Sequence, residues 1–252
     1  FLADMQHRPG LAATLHSRWQ WVAASLLLIV AIFAAGYHWG LPWLARWIAP
    51  AVPDSVVRSL SETTLQALDQ HRLKPSRLTA TRQSELQAGF ARLVAGDPAL
   101  QTARLLFRSA PTEAPNAFAL PDGTVVLFDE LLPLARRDDE ILAVLTHELG
   151  HVHHRHGIRQ GIQSSLLAVG AAALLGEVST WATMVSTLVL TSAYSREMEE
   201  ESDDYAVARF RQLKLPLDAL PAILVTLDAA RRKADGDAPP EDSRGALFSS
   251  HP

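Results

Sequence analysis

His147-Glu148-Leu149-Gly150-His151 has the form H-E-x-x-H. On a helix, positions four apart lie on one face, so His147 and His151 can direct two imidazoles at a single metal ion. Glu148 follows the first histidine, where its carboxylate can reach a metal-bound water without binding the metal. Zinc suits this set, with Zn–N distances of roughly 2.0–2.1 Å and a coordination position left open for water. The chemistry implied is metal-assisted hydrolysis of a peptide bond. The preceding run, Asp138-Asp139-Glu140-Ile141-Leu142-Ala143-Val144-Leu145, has the apolar spacing of a half-buried helix opened by acidic residues, as the helix dipole favours. Gly150 has no side chain, so another backbone can approach the metal-bearing face closely.

A zinc site of this kind needs a third protein ligand. A histidine six residues after His151, with glycine at the third, is excluded, because those positions hold Gly157 and His154. The alternative is a glutamate on a later helix. Ser195–Ala206 supplies several acidic side chains, Glu197, Glu199 and Glu201 among them. Glu199 and Asp203 are four apart and share a helical face. That suits a ligating glutamate beside an aspartate that accepts a hydrogen bond from a zinc-bound histidine. His153, His154 and His156 are expected to face solvent or to be hydrogen-bonded rather than to bind metal.

Three stretches together resemble peptidase family M48, the HtpX- and BepA-like zinc metallopeptidases. The first is the H-E-x-x-H run followed by Arg155-His156-Gly157-Ile158-Arg159-Gln160. The second is Ser195-Arg196-x-x-Glu199-x-x-Ser202-Asp203, in which Ser202 stands where the family usually has alanine. The third is Asn116-Ala117-Phe118-Ala119-Leu120-Pro121-Asp122-Gly123, in which Asp122 replaces a usual glycine. The resemblance covers roughly residues 54–252. It implies an α+β fold: a mainly helical, gluzincin-type zinc protease domain with a small β-sheet. It also implies one Zn2+ held by His147, His151 and Glu199, with Glu148 as general base and Asp203 behind the ligands. Asn116, Ala117, Phe118 and Ala119 would form an edge strand along which an extended polypeptide substrate adds as a further strand. From the residues alone, 116–128 reads as a β-hairpin turning at Asp122-Gly123, and both readings are compatible. The terminal Ser249-Ser250-His251-Pro252 matches a family motif found near the zinc. His251 is expected either as a fourth ligand, or as an oxyanion stabiliser, or as a frayed terminal residue.

From Trp19 to Ala45 there is no Asp, Glu, Lys or Arg. Trp19–Trp39 would span about 31 Å as a helix, matching a hydrocarbon core of about 30 Å. Trp19 and Trp21 at one end, with Tyr37, Trp39, Trp43 and Trp47 at the other, read as aromatic belts. The expected organisation is an N-terminal flank over 1–18, a transmembrane helix and interfacial segment over 19–47, and the zinc metallopeptidase domain over 54–252. Arg8 and Arg18 before the span balance Arg46 and Arg58 after it, so charge does not orient it. The resemblance favours a bacterial inner-membrane protein, single-pass, with a periplasmic catalytic domain and a role in envelope protein quality control. A latent or chaperone-like zinc protein with a self-inhibited site is the alternative.

Asp54–His71 and Thr81–Ala95 read as helices separated by Lys74-Pro75-Ser76. Ala103–Ser109, Asn116–Leu120 and Thr124–Phe128 read as strands, and Asp138–His156 as the zinc helix. Gly161–Tyr194, with Glu177 as its one charge, reads as two helices packed in the core or lying against the membrane surface, with a transmembrane hairpin as the alternative. Pro216–Arg232 reads as an amphipathic helix, and Lys233–Gly245 as a mobile loop. The 252 residues carry 23 Lys and Arg against 27 Asp and Glu, a net charge of −4, which leaves no electrostatic footprint for nucleic acid. The expected partners are polypeptide substrates and membrane lipid. With no cysteine there is no disulfide or thiolate chemistry. Phe1 in place of an initiator methionine suggests a fragment or a processed form.

Overall fold

The computed structural model describes residues 11–111, 115–175 and 194–234. It opens on a long rod: helix α1 (Leu11–Ala35), a π-helical turn (Gly36–Gly40), helix α2 (Leu41–Ile48) and a 3-10 turn (Ala49–Ala51). Trp19–Ala51 is long and apolar enough to cross a membrane, and its most apolar stretch has no residue buried in the protein. The far end of the rod is different. Ala45 and Ala49 are buried, while Trp39, Trp43 and Trp47 on its other sides stay exposed.

The rest is a small sheet wrapped by helices. Helix α3 (Asp54–His71) leads to a two-residue strand β1 (Lys74–Pro75), where the sequence shows only a break between helices. Helix α4 (Ala80–Val94) is capped by the Thr79 hydroxyl, which accepts from the Arg82 N–H at 3.2 Å. Strands β2 (Arg104–Ser109), β3 (Ala117–Ala119) and β4 (Thr124–Phe128) complete a sheet of order β1-β2-β4-β3, parallel between β2 and β4 and antiparallel elsewhere. All five residues of β4 are buried because both faces of the sheet are covered. Val125 and Leu127 join the main core with Leu86, Phe90 and Ile141, while Val126 and Phe128 pack towards Leu65 and Leu68 of α3. The hairpin between β3 and β4 turns at Asp122-Gly123 as expected. Gly123 has φ +91°, and a Cβ there would lie 3.1 Å from Ala103 Cα, so only glycine fits.

Helix α5 (Asp138–His153) runs through the centre. Expected to be half-buried, it is buried at every position from Glu140 to His151. The sheet covers one side, and α4, α7 (Arg196–Leu213) and α8 (Ala219–Ala234) cover the others. At its start Glu140 reaches back to the Arg136 N–H at 2.8 Å, which satisfies a donor that would otherwise be orphaned. The expected helix Asp138–His156 is really two. It stops at His153, Arg155 takes a left-handed φ of +55°, and α6 (His156–Leu175) starts afresh. The Arg155 side chain spans to the rod, donating to Ala49 O at 2.8 Å. Helix α6 lies along α2. It is one helix from His156 through Leu175 rather than a new element beginning after Gly161; residues 176–193 lie outside the described part. The last described helix, α8, starts three residues later than Pro216 and includes Lys233 and Ala234; the rest of the expected loop, residues 235–245, lies outside the described residues.

Candidate metal centre

Helices α5 and α7 build the site. They pack so closely that a Cβ on Gly150 would sit 2.8 Å from Ser202 Cα. This is the backbone approach that Gly150 permits, and it explains why position 202 needs a small residue. The crossing brings Glu199, one turn before Ser202, over the histidine face of α5. His147 Nε2 lies 3.1 Å from His151 Nε2 and 3.3 Å from one Glu199 carboxylate oxygen; His151 Nε2 lies 3.6 Å from the other. These three residues form the one cluster, among the described residues, whose ligand atoms converge as a metal requires. A tetrahedral Zn2+ with bonds near 2.0–2.1 Å separates its ligand atoms by about 3.3–3.4 Å; the histidine nitrogens lie near that spacing, and Glu199 turns a different carboxylate oxygen towards each of them.

The electrostatics point the same way. Burial pushes the His147 imidazole down, but hydrogen bonds to Asp203 and Glu199 and the charges of Glu148 and Glu199 outweigh it and lift it to about 10. Glu148, fully buried, sits beside His147 on α5. Asp203 accepts a hydrogen bond from His147 Nδ1 at 2.8 Å, which leaves Nε2 turned towards His151 and Glu199.

The acidic run sorts by helical geometry. Two residues on a helix turn the side chain by about 200°, and four bring it back. Glu199 and Asp203 therefore serve the two histidines. Glu197 and Glu201 face the other way, towards Arg46 of α2, at 2.6 and 3.0 Å.

Two groups were not legible as site residues. His156, completely buried, places its Nδ1 2.8 Å from His151 Nδ1 and its Nε2 2.7 Å from Glu201 Oε2. Burial, aided by Arg159, pushes the His156 imidazole down to about 4, so it is neutral at physiological pH. The sequence had grouped it with His153 and His154 as solvent-facing or hydrogen-bonded; it is hydrogen-bonded but shut away from water. The other is Tyr194, whose ring stacks on His151 with centroids 4.2 Å apart and planes 15° from parallel. Burial, then the charges of Glu148 and Glu199, raise its hydroxyl pKa. No periodicity or spacing marks either residue, because each reaches the site across a break in the helices. His153 has a different partner, Asp97, at 2.8 Å.

Strand β3 lies at the sheet's edge next to α5. The Phe128 N–H donates to Asn116 O at 3.1 Å, and the Leu120 N–H to Thr124 O at 2.7 Å. In an antiparallel ladder the residues between such pairs point their backbone groups outward, so Ala117 and Ala119 turn N–H and C=O away from β4; Ala117 is fully buried, and Ala119 is partly exposed. A small cleft lined by Ala119, Leu120, Pro121, His151, Gly157 and Tyr194 joins the end of this edge to His151. His251 lies outside the described residues.

The sequence profile of Peptidase family M48 matches residues 80–252. Metalloprotease LoiP of Escherichia coli (strain K12) is 24% identical over 213 residues, covering 81% of this chain and 78% of that protein. The mitochondrial metalloendopeptidase OMA1 of Saccharomyces cerevisiae is 37% identical over 100 residues, covering 37% of this chain and 28% of its own length. The putative beta-barrel assembly-enhancing protease of Vibrio cholerae is 28% identical over 137 residues, covering 49% of this chain and 28% of its own length. The chain thus spans most of LoiP but under a third of the other two.

Proposed function

This chain belongs to peptidase family M48, a family of metallopeptidases, and on that premise we propose that it is a membrane-anchored, zinc-dependent endopeptidase. The observation that carries the reading is the convergence of ligand atoms from His147, His151 and Glu199 beside the buried carboxylate of Glu148. His147 Nε2, His151 Nε2 and a Glu199 oxygen would hold the ion. Bound there, zinc supplies Lewis acidity towards a peptide carbonyl and lowers the pKa of water.

The chain's own groups do the rest. Glu148 accepts the proton of the attacking water and delivers it to the leaving amide nitrogen as the C–N bond breaks. Asp203 holds His147 in one tautomer, and Tyr194 holds the plane of the His151 ring. The outward backbone groups of the partly exposed Ala119, with Asn116, Ala117 and Phe118 keeping the strand in register, receive an extended polypeptide as an added strand. Backbone pairing of this kind favours unfolded or misassembled chains over any one sequence.

The apolar rod over Trp19–Ala51 supports membrane anchoring; single-pass placement in a bacterial inner membrane with the catalytic domain in the periplasm rests on the family resemblance. The likeness to the putative beta-barrel assembly-enhancing protease supports a part in envelope protein quality control. The test is Glu148→Gln in detergent-solubilised protein. Zinc should be retained while casein cleavage falls by about 10²–10⁴-fold, the usual contribution of a general base. Undiminished cleavage by the zinc-loaded variant would refute the mechanism.

A further inference from the structure

We propose that His156 and Glu201 are positioning residues for the metal site, and that they link His151 to Arg46 on the membrane rod through an unbroken chain of hydrogen bonds. The proposal rests on the reading of His147, His151 and Glu199 as metal ligands.

Hydrogen-bond chemistry fixes the direction of the chain. His151 Nδ1 and His156 Nδ1 are 2.8 Å apart, so one carries a proton and the other does not. Suppose His156 were the donor. A His156 protonated on Nδ1 alone would then turn a bare Nε2 lone pair on the Glu201 carboxylate, 2.7 Å away, and one protonated on both nitrogens would still leave His151 to accept at Nδ1. His151, accepting at Nδ1, would carry its own proton on Nε2, the atom that faces His147 and Glu199. Both consequences are unfavourable. The opposite assignment has neither. His151 Nδ1–H donates to His156 Nδ1, His156 Nε2–H donates to Glu201 Oε2, and His151 Nε2 is left with a lone pair towards the metal position.

Glu201 is in turn held on both oxygens. Arg159 donates to Oε2 at 2.5 Å and Arg46 to Oε1 at 3.0 Å. Ser202 Oγ, 3.3 Å from His156 Nδ1, is a weaker neighbour of the same atom. The two imidazoles are thus oriented differently. His147 meets the half-exposed carboxylate of Asp203 directly. His151 reaches its carboxylate through one buried imidazole, and that carboxylate is shared with the rod. Arg155, donating to Ala49 O, ties the turn that aims His156 to the same rod.

The experiment is a metal-affinity series on the full chain in detergent. Zn2+ binding is read by competition with a chromogenic chelator, and thermal unfolding of the metal-free protein reports the fold. Loss of a group that orients a metal-bound histidine typically costs about 10–100-fold in affinity, and Glu201→Gln should fall in that range. Arg46→Ala should weaken binding by a smaller factor, since Arg159 remains, and Arg46→Lys should recover part of the loss. In the Glu201→Gln background Arg46→Ala should add nothing. If Glu201→Gln does not fold, the graded response of Arg46→Ala and Arg46→Lys still decides the matter. Parental affinity in Glu201→Gln or Arg46→Ala, or additive losses in the double variant, would overturn the relay. Glu199→Ala and His147→Ala report separately: tight binding in those variants would refute the ligand assignment itself. Their failure to bind metal beside an unaffected Glu201→Gln would overturn only the relay.

Discussion

Gly150 and Ser202 touch backbone to backbone where α5 crosses α7, and a Cβ at position 150 would meet Ser202 Cα at 2.8 Å, Cβ at 3.0 Å and O at 3.0 Å. None of these atoms is the flexible end of a side chain, so the helices themselves must part. Glu199 and Asp203 both ride on α7. Gly150→Ala should therefore act at a distance, lifting both carboxylates off the histidines. The overpacking should cost about 1–3 kcal/mol of stability, with zinc affinity falling alongside. Ser202→Ala, which removes only a buried hydroxyl and keeps the contact small, should leave both far less changed. Thermal unfolding and zinc content measured on the two variants check this, and a stable, zinc-replete Gly150→Ala would show that the crossing is not what sets the site.

The rod is more than a tether. Ala49 is buried in a small cluster with Val57 and Ile158, and Ala45 is wholly buried. Deleting residues 1–40 keeps α2, Arg46 and Ala49, whereas deleting residues 1–50 removes them. The shorter deletion should free the protein from membranes with an unchanged unfolding temperature. The longer one should lose about 1–3 kcal/mol, from the exposed apolar contacts and the stranded Arg155 donor. Equal unfolding temperatures for the two would mean that α2 does not brace the domain. Continued pelleting of the longer deletion after carbonate washing would locate a second membrane contact within residues 161–194.

Asp97 gives a pH dependence whose sign is fixed. It accepts from Tyr205 Oη at 2.8 Å, from His153 Nδ1 at 2.8 Å and from the Ala99 N–H at 2.9 Å, tying α4's exit to α5 and α7. Burial pushes its carboxyl up, but these bonds outweigh burial and hold it below the usual carboxylate range. A folded-state pKa lower than the unfolded one means that the unfolded chain binds the proton more readily. The stabilisation is then complete above the unfolded value of about 3.9 and is lost as the pH falls through it towards the lower folded value. Asp97→Asn should cost about 1.5–3 kcal/mol at neutral pH, and its deficit relative to the parent should close below about pH 4. A deficit that stays constant from pH 7 to pH 3 would contradict this account.

What the sequence made legible follows from distance along the chain. The zinc-helix histidines are four apart and Glu199 and Asp203 are four apart, so local helical geometry alone pairs them. The hairpin at Asp122-Gly123 announces itself through a glycine that only φ > 0 explains. His156 could not be singled out, because it faces His151 only through the left-handed turn at Arg155, a residue with no intrinsic preference for that conformation. Arg46 lies 155 positions before Glu201, and no periodicity connects an anchor helix to an acidic run so remote. Nor does the pattern of Asp138–Leu145 show that α5 is buried all round. Its polar residues are buried because they belong to the site, as with Glu148, or are locally bonded, as with Thr146, whose hydroxyl donates to Leu142 O at 2.6 Å.

The outward edge of β3 makes the last prediction, and it separates substrate pairing from strand integrity. The inward hydrogen bonds of the hairpin fall on Asn116 and Leu120, and by alternation on Phe118. Ala119 therefore turns its N–H away from β4, and proline there removes an outward donor without touching the ladder, as edge strands tolerate. If substrates add as a strand, Ala119→Pro loses one backbone hydrogen bond to them, about 0.5–1.5 kcal/mol. That corresponds to a rise in KM of about 2–10-fold. Zinc content and unfolding temperature should stay near those of the parent. Phe118→Pro should instead break the ladder and pack poorly against Phe128, its edge-to-face neighbour at 5.8 Å, lowering stability before any kinetic effect can be read. Unchanged KM in a folded, zinc-loaded Ala119→Pro would rule out backbone addition at this edge. A fall in kcat alone would mean that the strand shapes the reacting geometry rather than holding the substrate.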